Sequence, residues 1–319
     1  IMLFHTQNFI IFFLVVFISY HLTKTDTNKR NILLVSALLF YMFWSIPLVL
    51  LLILSSVIDY YAGKNLWYSG KKLWLYISLI LNLGVLIFFK YADFLTGSLY
   101  SIIGLVGFEL SYSPLNIILP IGISFYTFQS MSYTIDMYRK KYKPYDSILD
   151  FSLYIMFFPQ LIAGPIVRAN HFKKQLHSRR KLRWPYIYQG IIFFTIGAFK
   201  KIVLADQASI FANAVFGSPG EYTFLLTLVG VLSFSFQIYF DFSAYTDMAR
   251  GLGCFLGIRL PENFNHPYGA LGIRDFWRRW HISLSTWLRD YLYISMGGSR
   301  KNKFITQRNL MITMLLGGL

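Results

Sequence analysis

Acidic residues are scarce in this sequence. Fourteen Asp and Glu stand against 30 Lys and Arg in 319 residues, and charged residues of both signs make up 14% of the chain. Soluble domains are nearer a quarter charged, so a soluble globular protein is excluded. A single cysteine, Cys254, rules out an internal disulfide and a cysteine metal cluster. The sequence has no GxxxxGK[ST] phosphate loop, no GxSxG nucleophile elbow and no HExxH zinc pair, which sets aside three common hydrolytic chemistries. It also has no repeat of fixed period and no Pro-rich or Ser-rich linker. One domain over 1–319 is the economical reading, with N-terminal spans in 1–113 and a core in 114–319. The apolar stretch 8–20 has neither a basic residue before it nor a small-residue cleavage site after it, so it reads as a retained span rather than a signal peptide.

What is present in quantity is apolar and aromatic surface. Hydrophobic residues are 55% of the chain, and more of them are present than one globular core buries, so lipid must solvate the remainder. Runs of spanning or near-spanning length cover 8–22, 31–45, 46–62, 73–90, 115–138, 186–204 and 222–240. Less uniform segments at 150–167, 242–258, 274–296 and 308–319 carry charge, Pro or Gly, and chemistry is expected there. The net charge of +16 would suggest nucleic acid in a soluble protein, but here it concentrates in loops, as the positive-inside rule expects, and would attract anionic lipid headgroups or an anionic cofactor, not nucleic acid.

Loop charges alternate across the early spans: Lys24, Lys29 and Arg30, then an uncharged turn, then Lys64, Lys71 and Lys72. The loop 91–114 has Asp93 and Glu109 without Lys or Arg, and Arg139, Lys140, Lys141 and Lys143 follow. This places the N-terminus outside. The next loop, 168–183, is again strongly basic, and one crossing cannot join two cytoplasmic loops. Between them Phe157 to Pro165 carries Pro159, Gly164 and Pro165, which interrupt a helix. A re-entrant segment lining a cavity resolves the conflict; a kinked span with an exported basic loop is the other reading.

Among six histidines, His5, His21, His171 and His177 fall at span ends or in the basic loop, and His266 is restrained by Pro267. His281 differs. It lies in a segment from Phe276 to Tyr293 where, on one helix, Trp277, His281, Ser285 and Leu288 share a face and Arg279, Ser283, Thr286 and Asp290 share another. Asp275 can pair with Arg279. An interfacial helix anchored by Trp and Arg is the competing reading. In a second cluster, Gln237, Asp241 and Tyr245 fall four apart on one helical face, and Asp247 can meet Arg250. Acids inside an apolar segment face a cavity or bundle interior, where they either serve the site or brace Arg278, Arg279 or Arg289.

Four blocks, Leu119 to Gln129, Phe157 to Ile166, Phe236 to Asp247, and Pro261 to Phe264 continuing through Phe276 to Tyr293, carry a resemblance to the membrane-bound O-acyltransferase family. The likeness is to its bacterial branch that O-acetylates polysaccharides, as in alginate acetylation. The resemblance implies an all-α polytopic ring of about nine to eleven helices around a funnel. It implies acetyl-CoA as cytoplasmic acyl donor, with no bound cofactor or metal, and a polysaccharide acceptor reached directly or through an extracytoplasmic acetyltransferase partner. It also implies a multi-pass protein of the bacterial cytoplasmic membrane. His281 matches the first of two family positions tied to activity. Gln160, Arg168, Gln237, Asp241, Tyr245, Asp247, Asn263, Trp277, Arg278, Arg279, Trp280, Ser285, Arg289 and Asp290 are expected to bind substrate or organise the site. The second family histidine follows an apolar Gly-rich run, which here is Met314 to Leu319, so it is expected just past Leu319 and the chain is expected to be a fragment. A polytopic transporter or a noncatalytic scaffold for polysaccharide secretion are the alternatives.

Overall fold

The computed structural model describes residues 2–105, 112–162, 164–177, 183–218, 220–300 and 302–318. Glu109 of the acidic loop, Ala163 of the interrupted segment, Arg179, Arg180 and Lys181 of the basic loop, and Leu319 lie outside the described residues. Helices follow one another as α1 (Gln7–Leu22), α2 (Asp26–Met42), α3 (Ile46–Ser69), α4 (Leu73–Leu105), α5 (Ile123–Tyr138), α6 (Ile148–Met156), α7 (Phe158–Leu161), α8 (Ala169–His177), α9 (Trp184–Phe199), α10 (Asp206–Gly217), α11 (Phe224–Phe255), α12 (Ile273–Arg279), α13 (Ile282–Trp287) and α14 (Lys303–Gly318). The expected all-helical, polytopic architecture is what forms. Among the described residues, four helical stretches are long and apolar enough to cross a membrane: α3, α4, the continuous run Trp184–Gly217, and α11. The shorter α1 is apolar throughout.

Local chemistry sets the helix ends. Pro47 occupies the first turn of α3, where its missing N–H costs nothing, and Gly70 closes that helix at φ +67 with its N–H on the Leu66 carbonyl. Ser147 caps α6 by accepting the Leu149 N–H at 3.2 Å.

Several expected boundaries shift. The run 115–138 is helical only from Ile123, because Pro120 and Gly122 interrupt its first part. Gly122 sits at φ +72, and a Cβ there would collide with the Leu161 carbonyl oxygen, so only glycine lets α5 start against the interrupted segment. The runs 222–240 and 242–258 merge into α11, since Asp241 and Asp247 are neutralised by lysines across the helix pair. The run 186–204 continues to Gly217 through a π-helical turn, Lys200–Ala205.

The interruption expected between 157 and 165 is present. α6 ends at Met156, Phe157 breaks the helix at ψ 105, and α7 lasts four residues. Phe157, Phe158, Pro159, Gln160 and Leu161 are buried against protein, and Ile162, which follows them, lines a small recess with Phe40, Tyr41 and Ile121. Phe158 packs on Phe9, Phe12, Phe13 and Phe40 from the first two helices, and Phe157 meets Phe172 edge-on at 5.3 Å. The freed backbone is satisfied internally, with the Gly164 N–H on the Gln160 carbonyl and the Ile166 N–H on Ser283 Oγ.

Two contacts set the placement of the helices that reach the site. Gly197 of α9 lies so close to α11 that a Cβ would come 2.7 Å from the Ala244 carbonyl oxygen and from Met248, a close crossing that only small residues permit. Asp59 of α3, fully buried, accepts Ser78 Oγ at 2.6 Å and Asn82 Nδ2 at 2.9 Å from α4, and Ser78 meets Thr134 of α5 at 2.9 Å. Three helices are thereby held in one register.

Asp59→Ala strands these buried donors, and the expected loss is about 1–3 kcal/mol of stability. Asp59→Asn, which keeps one acceptor oxygen, is expected to lose less. Detergent unfolding followed by tryptophan fluorescence checks both, and equal midpoints for Asp59→Ala and the unaltered protein would refute the role.

Candidate active site

His281 does not sit inside one helix. α12 ends at Arg279, Trp280 is extended, and His281 precedes α13 at φ +41 and ψ 56, in the left-handed region. The expected stripes Trp277–His281–Ser285–Leu288 and Arg279–Ser283–Thr286–Asp290 therefore do not form, because the chain turns between their members. The turn is clamped by Asn263. Its backbone carbonyl accepts the Ile282 N–H at 2.9 Å and its Oδ1 accepts the Ser283 N–H at 3.2 Å, supplying partners to the first two N–H groups of α13. The Asn265 N–H returns a bond to the Arg279 carbonyl at 3.0 Å. Ser283 Oγ, in turn, holds the Ile166 N–H at 2.9 Å, so the segment after the helix break joins the same junction.

Around the imidazole stands an aromatic cage. Phe242 of α11 meets it edge-on at 4.7 Å, Phe125 of α5 lies at 6.1 Å and Phe264 at 6.4 Å. Phe242 and Phe264 also touch each other, with ring centres 5.1 Å apart. His281 Nε2 is buried and meets no hydrogen-bond partner. Burial pushes the imidazole down from its ordinary 6.5 to about 4, so it is neutral at physiological pH. Trp280 stacks on Phe276 and stands edge-on to Phe264, and its carbonyl accepts Ser285 Oγ at 3.1 Å.

Along α11, Gln237, Asp241 and Tyr245 do share one face, as the four-residue spacing predicts, and with Ile238 and Phe242 they line a groove of about 380 Å³. Asp241 does not brace an arginine of the 278–289 segment. Its partner is Lys201 at 2.7 Å, which also holds Asp206 at 2.9 Å. Asp247 pairs with Arg250 at 3.2 Å as expected, and more closely with Lys200 at 2.7 Å. The two lysines were missed as site residues, although two consecutive charges inside an apolar run are a signal for a buried partner. The Asp275–Arg279 pair forms at 3.0 Å, while Trp277 and Arg278 are exposed on α12.

Gln160, Arg168, Arg289 and Asp290 belong to other contacts. Gln160 is buried and donates to the Tyr154 carbonyl at 2.6 Å. Arg168 pairs with Asp290 at 3.1 Å and lies 4.5 Å over the Tyr291 ring, and Arg289 meets the other Asp290 oxygen at 2.8 Å. The Tyr291 hydroxyl donates to Asp136 at 2.8 Å, and Lys141 pairs with Asp136 at 2.8 Å. Arg139 donates to the Asp290 carbonyl at 3.0 Å. Burial holds the Tyr291 phenol well above its ordinary range, so it stays a donor. This assembly of cations around one aromatic ring went unread, although Asp136 is a lone acid in an apolar run. Among the described residues no three His, Cys, Asp or Glu side chains converge as metal ligands.

Residues 3–317 match MBOAT, the membrane-bound O-acyltransferase family. The chain is 41% identical over 323 residues to the "Probable alginate O-acetylase AlgI" of Pseudomonas aeruginosa, covering all of this chain and 62% of that protein. It is 38% identical over 353 residues to the peptidoglycan O-acetyltransferase of Helicobacter pylori, covering all of this chain and 66% of that protein. A more distant match, 33% identical over 188 residues, is the teichoic acid D-alanyltransferase of Bacillus subtilis, with 57% of this chain and 47% of that protein covered. The chain thus spans less than two thirds of the length of the first two relatives.

Because His281 is depressed to about 4, the unfolded chain binds its proton first as pH falls below 6.5. Stability from the neutral imidazole is therefore full above 6.5 and is lost as pH falls through 4. Thermal melts between pH 7 and 4 are expected to decline less steeply for His281→Gln than for the unaltered protein; parallel curves would contradict the burial argument.

Proposed function

The chain belongs to the membrane-bound O-acyltransferase family, and from that premise we propose that it is the core of an O-acetyltransferase that moves an acetyl group from cytoplasmic acetyl-CoA toward an extracytoplasmic polysaccharide hydroxyl. One observation carries the site: a neutral imidazole, His281, buried in an aromatic cage beside a groove that presents Gln237, Asp241 and Tyr245.

The acceptor hydroxyl oxygen attacks the thioester carbonyl, whose oxygen takes on the negative charge. Collapse of that intermediate expels the thiolate of CoA, which takes up the proton lost by the hydroxyl. A neutral imidazole with its proton on Nε2 is a hydrogen-bond donor for the developing oxyanion, and burial among aromatic rings makes that bond count for more than it would in water. An imidazole whose protonated form is disfavoured is less suited to hold a proton as general base. Asn263 fixes the imidazole, with Trp280 and Ser285 bracing the turn on which it stands. Gln237, Asp241 and Tyr245 face the groove on the hydroxyl side. Arg139, Lys141 and Arg168 gather around Tyr291 on the face that the loop charges assign to the cytoplasm, where they attract the phosphates of the donor. Delivery to polymer directly or through an extracytoplasmic acetyltransferase partner, and residence in the bacterial cytoplasmic membrane, complete the reading. Transporter and scaffold readings gain nothing from the relatives, which are named as acyl-transferring enzymes.

In membranes carrying the full-length protein and labelled acetyl-CoA, His281→Ala is expected to lower kcat by roughly 10²–10³ with little change in KM, the cost of one oxyanion donor. His281→Gln, which retains an N–H, is expected to recover part of that loss. Undiminished transfer by folded His281→Ala would overturn the assignment.

A further inference from the structure

The nitrogen assigned to the oxyanion is closed off. His281 Nε2 is buried without a partner, whereas the groove lined by Gln237, Ile238, Asp241 and Tyr245 is open. One side chain belongs to both. Phe242 forms the nearest wall of the imidazole cage, edge-on at 4.7 Å, and also lines the groove. The other cage rings, Phe125 and Phe264, stand farther from the imidazole, at 6.1 and 6.4 Å, and do not line the groove. Phe242 rides on the regular helix α11 and is only partly buried, while the neighbouring Ser243 and Ala244 are buried against the fold. Its ring contacts are with Phe125, Phe264 and His281, and a turn about its side-chain bonds leaves the helix backbone in place.

We infer that Phe242 is the movable partition between the groove and His281, and that it makes the enzyme choose a hydroxyl bound in the groove over water. This rests on the proposed transfer at His281. A thioester within reach of water is hydrolysed to acetate and free CoA thiol, the oxygen coming from water, and a closed imidazole denies water the stabilisation that the transfer uses. An acceptor lodged against Gln237 and Asp241 displaces the ring and opens the path only when a hydroxyl is there to take the acyl group.

Two measurements on the full-length protein in membranes test this. The first needs no activity: diethyl pyrocarbonate converts a neutral imidazole to its N-carbethoxy derivative with release of ethanol and carbon dioxide, and mass spectrometry reads each histidine separately. A wall that opens as a minor conformer is open about 0.1–10% of the time, so Phe242→Ala is expected to speed labelling of His281 by roughly tenfold to a thousandfold. Phe242→Trp is expected to slow it. Labelling of His21, part-buried with its Nε2 2.9 Å from the Phe255 carbonyl oxygen, should stay constant in each variant and reports that the protein is folded. Fast labelling of His281 in the unaltered protein, or no change in Phe242→Ala, overturns the partition. The second measurement compares release of acetate with transfer to acceptor. Phe242→Ala is expected to raise that ratio and Phe242→Trp to lower transfer without raising hydrolysis; an unchanged ratio in both overturns the choice of hydroxyl over water. If His281→Ala keeps full transfer while Phe242→Ala still exposes His281 to the reagent, the function assigned to His281 fails and the partition stands.

Discussion

Asn263 holds the centre of this protein together. Where a chain turns at a positive φ inside a dry interior, the first N–H groups of the following helix face nothing, and an unsatisfied buried donor is costly. Asn263 supplies two acceptors from one residue, its backbone carbonyl and its side-chain oxygen, to the consecutive donors of Ile282 and Ser283. That leaves His281 free to adopt the left-handed conformation that turns its ring toward Phe242. Because Ser283 also accepts from Ile166, the same junction anchors the broken helix region. The aromatic cage depends on this clamp, since rings give shape but little direction.

Helix α5 carries alignment from the lipid-spanning helices to that junction. Its Thr134 is joined through Ser78 to Asp59, its Phe128 carbonyl accepts Trp287 Nε1 at 2.8 Å, and its Asp136 accepts the Tyr291 hydroxyl. One face reads the register of α3 and α4, and the others set α13 and the π-helical turn Leu288–Tyr293 behind it. The start of α5 is pinned at Gly122 against Leu161. The helix is consequently held at its start by close packing and along its length by polar contacts in an otherwise apolar body, where low polarity strengthens them.

Much of this was legible in the residues. Apolar runs located the helices, prolines and a glycine located the break near Phe157, and four-residue spacing put Gln237, Asp241 and Tyr245 on one face. The family resemblance singled out His281. What failed was the inference that Trp277 to Asp290 lie on one helix: no residue there is a strong breaker, and the turn at His281 is supported by Asn263, distant by eighteen residues. The partner of Asp241 failed for a similar reason. Arginines nearby in sequence were the natural choice, but the crossing of α9 on α11 at Gly197 brings Lys201 instead. Periodicity within a segment is readable from one sequence; the partner that a turn or a charge finds across the fold is not.

The pairing of Lys200 with Asp247 and Lys201 with Asp241 bears on how the protein enters the bilayer in the first place. The two helical runs Trp184–Gly217 and Phe224–Phe255 carry three basic residues, Lys200, Lys201 and Arg250, and three acidic ones, Asp206, Asp241 and Asp247. Lys201–Asp206 and Asp247–Arg250 pair within a run, but either run alone still carries one unmatched charge, Lys200 or Asp241, at a few kcal/mol near a helix centre. Folded against each other as an antiparallel pair they are electrically neutral. The π-helical turn places two successive lysines where both reach the same neighbour, so the second helix completes the first. The two are best inserted during synthesis as a hairpin, with the short loop between them translocated as one unit.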